Sequence, residues 1–415
     1  MVKRRAPRAR EHALPPPRKS AYLALGPYAK TRLTEHALGL QLALDVPCDV
    51  FSTQRIDEGT LLLLQHLPAR APRTLLEVGC GYGALGLPIC ARFPEVKALL
   101  LDRDLLAVAA CAHNAAELGM ANARVVPGLG FRDLPEGEAA FDWILCNVPA
   151  RIGPAFIGHL LQAGRALLAE GGELRVVVIR DLDASVLAEA KARGLPELTR
   201  VVQGRRHSVY SIPAMPGLAA PPASDDALYA RDQTELQAAP GVVLRLSRPH
   251  DASEDPEHHQ GLAVLLDALP RAPPRQALAL RCGYGAMPAA LSSRYPNAAV
   301  AGQDRDLLDA AFARKNAPRA RIVESLWPAQ ALAALDSPPE LITGELSASA
   351  GAGVAALELK QAAAGLAKGG QALVLATARQ EREWLPGALP EGAAASVLLR
   401  RGGFCVLRMA PNPRR

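Results

Sequence analysis

A run of glycines follows an acidic residue in the first half of the chain. Residues 77–83 read Glu-Val-Gly-Cys-Gly-Tyr-Gly, and a further glycine stands at position 86. Glycine lacks a Cβ and tolerates positive φ, so this backbone could approach a ligand closely. Asp102 follows at about the distance expected of an acid that binds a ribose. The spacing therefore predicts a nucleotide-binding turn between a strand and a helix.

The acid at the start of this turn indicates which nucleotide the turn holds. A dinucleotide brings a pyrophosphate to the helix N-terminus, whereas S-adenosyl-L-methionine brings a cationic amino-acid group. A ligand amine would find Glu77 nearby, so the turn favours S-adenosyl-L-methionine as the cofactor. A glycine-rich turn that binds nothing is the alternative interpretation.

Strands and helices alternate around this turn. Short apolar runs that do not alternate with polar residues predict buried parallel strands, here at 74–78, 98–101, 143–146 and 174–179. Apolar residues three and four positions apart predict helices at about 85–92, 105–118 and 155–169. A last, antiparallel pair of strands is expected at 200–203 and 208–212. The pattern predicts an α/β, Rossmann-like fold with a doubly wound, mainly parallel sheet, whose ligands bind beyond the carboxyl ends of the strands.

The second half of the chain repeats the first. Residues 75–83 and 277–285 both end in Cys-Gly-Tyr-Gly, and 102–106 and 304–308 both read Asp-Arg-Asp-Leu-Leu, at the same offset of 202. We therefore expect two tandem domains of one architecture, joined by a linker rich in Pro, Ala and Ser. The predicted divisions are a basic disordered tail at 1–30, a catalytic domain at 31–212, a linker at 213–227 and a degenerate domain at 228–415.

Composition limits the remaining possibilities. No apolar run reaches the roughly 18 residues of a membrane span, and the N-terminus lacks the apolar core of a secretory signal. The seven cysteines have no Cys-x-x-Cys spacing, which argues against a disulfide framework and a zinc site. We therefore expect a cytoplasmic protein with no metal and no membrane partner, and the internal duplication is compatible with a monomer. Eight Lys or Arg against one acid in residues 1–30 could contact nucleic-acid phosphates, although a solvated tail is equally compatible.

The glycine turn resembles the first motif of class I S-adenosylmethionine-dependent methyltransferases, in which the acid matching Asp102 holds both ribose hydroxyls. Residues 50–60, Val-Phe-Ser-Thr-Gln-Arg-Ile-Asp-Glu-Gly-Thr, resemble a segment of the tandem-domain rRNA guanine-N2 methyltransferases (RsmC/RlmG type). In that family the Phe-Ser and Asp-x-Gly-Thr elements wall the cofactor site, but Asp57 or Thr60 could equally cap a helix. The cofactor-binding residues that the resemblance implies are Phe51, Asp57, Glu77, Gly79, Cys80, Gly81, Gly83, Asp102, Arg103, Gly128 and Asn147.

The loop after the fourth strand carries the residues expected to act on the substrate. Amino-directed members of this superfamily have Asn or Asp, two prolines and an aromatic residue here, and the chain has Asn147, Val148, Pro149 and Ala150. An Asn oxygen and the next backbone carbonyl can accept both N–H groups of an exocyclic amine, which aims its lone pair at the methyl group. Asn147, Val148 and Pro149 are the predicted catalytic residues. Val148 replaces a proline and Ala150 the aromatic residue, which leaves the substrate less defined and a purely structural turn possible.

The second copy lacks these features. At the repeat offset Glu77 becomes Ala279, Gly79 becomes Arg281, and the Asn147 loop becomes Glu345-Leu346-Ser347-Ala348. We therefore expect the second domain to support folding or substrate docking without chemistry of its own. In the family that the chain resembles, the second copy is the active one, so the order here is reversed.

The resemblance implies N-methylation of an exocyclic amine, most specifically guanine N2 of ribosomal RNA, with RNA as the partner. Three alternatives stay open from the sequence. The substrate could be a protein side chain or a small molecule, both copies could be relics in an RNA-binding or assembly protein, or the turn could serve a dinucleotide oxidoreductase. The last lacks a catalytic His or a Tyr-Lys arrangement to support it.

Overall fold

A computed structural model describes residues 18–138, 140–215, 225–252, 258–347, 349–385 and 393–411. The expected tail residues 1–17 and linker residues 216–224 lie outside the described residues. Two seven-stranded sheets and two separate hairpins form the β-structure of the described part. Two tandem Rossmann-like α/β domains are thus present, as the sequence predicts.

The first domain is built around the sheet that holds the glycine turn. Its elements are α1 (Lys19–Leu25), β1 (Ala29–Ala37), β2 (Leu40–Pro47), α2 (Glu58–Gln65), β3 (Thr74–Val78), α3 (Gly86–Arg92), β4 (Lys97–Asp102), α4 (Leu105–Glu117), β5 (Ala123–Pro127), β6 (Phe141–Asn147), α5 (Pro154–Ala166), β7 (Leu168–Ile179), α6 (Asp183–Ala192), β8 (Thr199–Gln203) and β9 (His207–Pro213). The strand order is β5-β4-β3-β6-β7-β9-β8, with β9 antiparallel to both of its neighbours. The predicted strands and the antiparallel closing pair are confirmed.

The buried strands explain why the apolar runs do not alternate with polar residues. Along β3, Leu75 and Leu76 belong to different hydrophobic clusters, because successive side chains point to opposite faces of the sheet. Both faces are covered, so both residues are fully buried. The chain moves from β3 outward to β5 and then returns to β6 on the other side of β3, which opens a crevice at the carboxyl ends of these strands.

The second domain repeats this arrangement. Its elements are β10 (Ala230–Ala239), β11 (Val242–Pro249), α7 (His258–Asp267), β12 (Gln276–Leu280), α8 (Ala286–Arg294), β13 (Ala299–Asp304), α9 (Leu307–Asn316), β14 (Arg321–Glu324), α10 (Pro328–Ala333), β15 (Leu341–Glu345), α11 (Ala352–Gly365), β16 (Gln371–Thr377), α12 (Ala378–Glu383), β17 (Ala393–Arg401) and β18 (Phe404–Pro411). The strand order β14-β13-β12-β15-β16-β18-β17 is that of the first sheet, element for element. One hydrophobic cluster contains residues of both domains, including Phe156 and Tyr229.

A repeated asparagine fixes the hairpin of each domain to its glycine turn. The Asn114 amide exchanges two hydrogen bonds with the Asp45 backbone, at 2.8 and 2.9 Å, and donates to the Tyr82 carbonyl at 2.9 Å. Asn316 makes the same contacts to Ser247 and Tyr284, at 2.7 to 2.8 Å. In each copy one amide thus satisfies backbone groups of both the hairpin and the glycine turn. The repeat of this asparagine is structural.

Three predicted boundaries are wrong. Residues 18–30 are not a disordered tail, because α1 buries Ala21 and Leu25 against the first domain, and Tyr28 follows in a buried turn. The linker is shorter than 213–227, since Pro213 ends β9 and residues 226–229 form a 3₁₀ turn. The helix predicted to reach residue 169 ends at Ala166, because Leu168 already pairs with β6.

Candidate active site

The glycine turn joins β3 to α3 at the carboxyl edge of the first sheet. Gly79 and Gly81 have φ values of +82° and +55°. A Cβ added to either would meet no other atom within 4 Å, so both border open space. That space is a cavity of about 680 Å³, within the range of roughly 300–1,000 Å³ that small-molecule sites occupy.

Asp102 ends β4 beside this turn and lines the cavity. One carboxylate oxygen accepts the Gly81 N–H at 2.8 Å and the other accepts the Asp104 N–H at 2.9 Å. Burial raises the pKa of Asp102 above its ordinary value, although these two N–H groups oppose the shift. Because a carboxylate oxygen can accept more than one hydrogen bond, Asp102 keeps capacity for the hydroxyls of a ligand.

Glu77 lies beneath the turn and is only 2% exposed. Burial and the nearby charge of Asp102 hold its pKa well above the ordinary range, while the Gly86 N–H acts in the opposite direction. Its Oε2 has no hydrogen-bond partner among the described residues. A Cβ at Gly86 would collide with this oxygen, so glycine is required there. The carboxyl group is thus a buried acceptor beside the cavity, suited to a cationic ligand group.

Asn147 ends β6 across the cavity, and its orientation is fixed by α2. Its Nδ2 donates to Asp57 Oδ2 and to Thr60 Oγ1, each at 3.0 Å. A carboxylate can only accept, so the amide nitrogen must face Asp57 and the amide oxygen must face away. Asn147 Oδ1 has no partner among the described residues and borders the cavity as a free acceptor.

Asp57 performs both of the roles considered from the sequence. As the N-cap of α2 it accepts the N–H groups of Gly59 at 2.9 Å and Thr60 at 3.4 Å. The same Oδ2 holds Asn147. The Asp-x-Gly-Thr element therefore couples the start of a helix to the orientation of the amide.

The loop after Asn147 keeps its path without a proline at position 148. Val148 donates its N–H to the Val177 carbonyl at 2.9 Å, which extends the pairing of β6 with β7 by one residue. Pro149 accepts the Ile152 N–H at 3.3 Å and closes the turn. Val148, Pro149 and Ala150 all line the cavity.

Of the predicted site residues, all but one line this cavity. Those that do are Phe51, Asp57, Glu77, Gly79, Cys80, Gly81, Asp102, Arg103, Gly128, Asn147, Val148 and Pro149. Gly83 does not, and a Cβ on it would collide with Leu87, so its role is packing of the turn against α3. A hydrogen bond with the Cys111 thiol, together with burial, raises the pKa of Cys80 well above its ordinary value. This thiol is therefore unsuited to nucleophilic chemistry.

Other residues also line the cavity, and among them His207, Tyr229, Asp251 and Asp306 come from segments that the sequence does not assign to the site. His207, which lies between the two predicted closing strands, reaches the cavity with Nε2 4.0 Å from Asp57 Oδ2. Tyr229, Asp251 and Asp306 come from the second domain. The repeat identifies their counterparts in the first copy, but nothing in the sequence indicates that they cross to the other domain's cavity.

The equivalent position in the second domain is filled. Arg281 keeps a positive φ of +49°, and its guanidinium binds Glu358 Oε1 at 2.6 Å and the Tyr28 hydroxyl at 2.9 Å. Only about 20 Å³ is left around these side chains. Asp304 still accepts the Gly283 N–H at 2.9 Å and is buried. The expected loss of the second site is consistent with this packing.

Other features of the described residues bear on the chemistry. All seven cysteines are free and buried. The described parts of the chain contain no group of three His, Cys, Asp or Glu placed to hold a metal. No described helix is both long and apolar enough to cross a bilayer.

Most of the first domain is similar to known proteins. Residues 42–211 match the family described as Methyltransferase small domain. Ribosomal RNA small subunit methyltransferase C of Pseudomonas entomophila is 38% identical over 161 residues, which are 38% of this chain and 47% of that protein. Ribosomal RNA large subunit methyltransferase G of Ectopseudomonas mendocina is 32% identical over 156 residues, 36% of this chain and 41% of that protein. The matched segments thus span less than half of either relative.

A solved structure resembles both domains together. The 16S rRNA N2 methyltransferase (RsmC) of T. thermophilus, in complex with AdoMet and guanosine, superposes with a TM-score of 0.64 and 20% sequence identity. The likeness covers 92% of this chain and 98% of that one. At this identity the likeness establishes the tandem-domain fold.

Proposed function

We propose that the chain is a class I methyltransferase, related through residues 42–211 to the family described as Methyltransferase small domain, and that it methylates guanine N2 in ribosomal RNA. The observation that carries the proposal is the Asn147 amide, held by Asp57 and Thr60 so that Oδ1 is free at the cavity. S-adenosyl-L-methionine is the proposed cofactor.

The residues of the cavity fit this cofactor. Gly79 and Gly81 leave space where a Cβ would stand, and Glu77 lines the same cavity with a carboxyl group beside which an ammonium group could lie. Asp102 offers its oxygens to the two ribose hydroxyls. The segment at Gly128 borders the same cavity one strand further along the sheet, where a base would lie. When bound, the cofactor supplies an electrophilic methyl group on a sulfonium.

The chain's own contribution is to orient the amine. Asn147 Oδ1 and the Val148 carbonyl would accept the two N–H groups of the substrate, which turns the nitrogen lone pair toward the methyl group. On accepting the methyl group, the substrate amine would release one proton. His207, beside Asp57 at the cavity, is a suitable first acceptor for that proton.

The mouth of the cavity supports a nucleobase as the substrate. Ala150 provides no stacking surface, but Phe51 lines the same cavity with 73% of its surface exposed. An aromatic side chain so exposed at a cavity mouth can stack on a base that has left its helix. We therefore assign to Phe51 the role of the aromatic residue that the loop lacks. An RNA substrate also fits the names of the relatives, and a ribosomal substrate would favour a cytoplasmic location.

A transfer assay tests the proposal. The chain is incubated with tritiated S-adenosyl-L-methionine and with ribosomal subunits or deproteinised rRNA, and nuclease digests are analysed for N2-methylguanosine. We expect label in that nucleoside, and we expect Asn147→Ala to abolish transfer while calorimetry shows unchanged cofactor binding. Label in protein would point to a protein substrate instead. No cofactor binding by the unaltered chain would point to a non-catalytic RNA-binding role.

A further inference from the structure

Each domain contributes an equivalent segment that packs against the other domain. Tyr28 and Tyr229 each precede the hairpin of their own copy, yet each is buried against the other copy. Asp49 and Asp251, 202 positions apart, follow the same two hairpins and also reach across. The exchange is reciprocal, but its consequences differ, because the first domain has an open cavity and the second does not.

Tyr229 closes one side of the open cavity. Its ring lies 5.3 Å from the ring of Phe156, and its hydroxyl donates to the Leu129 carbonyl at 3.4 Å. A Cβ on Gly130 would stand 3.0 Å from the hydroxyl oxygen. Tyr229 therefore packs directly on the segment after β5, on the base side of the proposed cofactor site.

Arg103, the residue after the ribose-binding acid, is held by the second domain. Its Nη2 donates to Asp251 Oδ2 at 3.0 Å and to the Asp251 carbonyl at 2.9 Å. Its Nε lies 3.2 Å from Asp306 Oδ2. The remaining nitrogen, Nη1, is buried without a hydrogen-bond partner in the described structure. Both carboxylates and the guanidinium line the cavity.

In the second domain, Arg305 makes the contacts that correspond to those of Arg103. Arg305 donates to the Asp49 carbonyl at 2.8 Å, pairs with Asp49 Oδ2 at 3.1 Å and pairs with Asp104 Oδ1 at 3.1 Å. Domain association alone would need these contacts equally on both sides. Only the Arg103 side places them on the wall of an open site.

We propose that the second domain completes the adenosyl half of the cofactor site of the first. Asp251 and Asp306 are positioning residues that hold Arg103 at the ribose edge, with Nη1 free to donate to the bound nucleoside, and Tyr229 closes the base side. The inference rests on the proposed function, because it assumes that the cavity takes S-adenosyl-L-methionine. It gives the degenerate copy a direct part in ligand binding.

The test compares Asp251→Asn with its matched control Asp49→Asn in the full-length chain. Each variant removes one carboxylate charge from the corresponding interdomain Arg–Asp pair. Asp49 also lies 3.8 Å from Arg281 and accepts the Ser347 hydroxyl at 3.2 Å, so the control should lose at least as much thermal stability. Calorimetric titration with S-adenosylhomocysteine should show affinity about tenfold weaker for Asp251→Asn and within about twofold of the unaltered chain for Asp49→Asn. In the transfer assay Asp251→Asn should raise the KM for the cofactor and leave kcat unchanged, and Asp251→Glu should restore part of the affinity.

A second pair keeps the test decisive if the aspartate variants do not fold. Tyr229→Phe removes only a hydroxyl and should weaken binding about threefold, whereas Tyr28→Phe should leave it unchanged. The inference would be overturned if the unaltered chain binds S-adenosylhomocysteine but the two variants of a folded pair bind it with equal affinity. The proposed function would then still stand. Failure of the unaltered chain to bind S-adenosylhomocysteine would instead overturn the proposed function, and this inference with it.

Discussion

Asp57 both caps α2 and orients the Asn147 amide, and the substitution Asp57→Asn separates these two roles. Asparagine is as good an N-cap as aspartate, so α2 should keep its start. An asparagine amide, however, can present either an oxygen or an NH2 group to its neighbour. Asn147 would then no longer be forced to turn Nδ2 toward α2, and the outward position of its Oδ1 would no longer be specified.

The size of the effect follows from the hydrogen bond that is lost. Asn147 Nδ2 donates to the Asp57 carboxylate at 3.0 Å, and hydrogen bonds to charged groups contribute about 1.5–3 kcal/mol. If that energy serves to orient the amide in the transition state, kcat should fall by roughly 10- to 150-fold. Thr60→Val removes the second acceptor, which is neutral, and should reduce kcat by about tenfold. Thr60→Ser keeps the hydroxyl and is the matched control.

Single-turnover transfer from labelled cofactor measures this effect directly, with calorimetry and thermal melting in parallel. We expect cofactor affinity within about twofold of the unaltered chain and a melting temperature within about 2–4 °C, the shift that 1 kcal/mol causes in a domain of this size. A kcat for Asp57→Asn within twofold of the unaltered chain would refute the reasoning. It would mean that the Asn147 amide is oriented by something other than α2.

Two further predictions concern buried charges. Because the pKa of Glu77 is raised in the folded state, the protein binds a proton there that the unfolded chain releases, so its stability should fall as pH rises above the ordinary value of 4.5 toward the raised pKa. Glu77→Gln should remove this decline in a melting-temperature series from pH 5 to about 8 and weaken cofactor binding; an unchanged pH profile would contradict the assignment. Arg281→Ala should lower the free energy of unfolding by about 3 kcal/mol in urea titrations, because Glu358 is left buried without its partner. Adding Glu358→Ala should restore most of that loss, and an equal loss in the double variant would show that the pair is not coupled.

The architecture of each copy could be predicted from the sequence because it depends on local patterns. The apolar run bounded by turns predicts β3 with its observed ends, and the repeated Cys-Gly-Tyr-Gly segment predicts a second domain of the same fold. Glu77, Asp102 and Asn147 could be assigned to one site because the carboxyl ends of parallel strands meet at one edge of a sheet. These inferences need only the order of strands and the period of side chains.

The contacts between distant segments could not be predicted in this way. The Asp-x-Gly-Thr element suggested a helix cap or a cavity wall, and only the position of α2 against β6 shows that Asp57 holds Asn147. Residues 18–30 were assigned to the tail because basic residues and prolines dominate the composition, although Ala21 and Leu25 supply a buried helix face. Tyr229 stands two residues beyond the predicted linker, in the domain that the sequence predicts to have no chemistry of its own. Its importance depends on which domain it contacts.

The interdomain contacts also explain why the second copy keeps the Asp-Arg-Asp segment although its glycine turn has changed. Its glycine turn carries Arg281 in place of a glycine, yet Asp304-Arg305-Asp306 matches the first copy residue for residue. Asp304 accepts the N–H groups of Gly283 and Asp306 at 2.9 and 3.0 Å, and this fixes the backbone from which Arg305 and Asp306 reach the first domain. The acid that would bind a ribose in an active copy is therefore needed here for the interface alone. A ribose-binding motif in a degenerate domain is accordingly no evidence that the domain binds a nucleotide, and the space beside its first strand is the feature to examine.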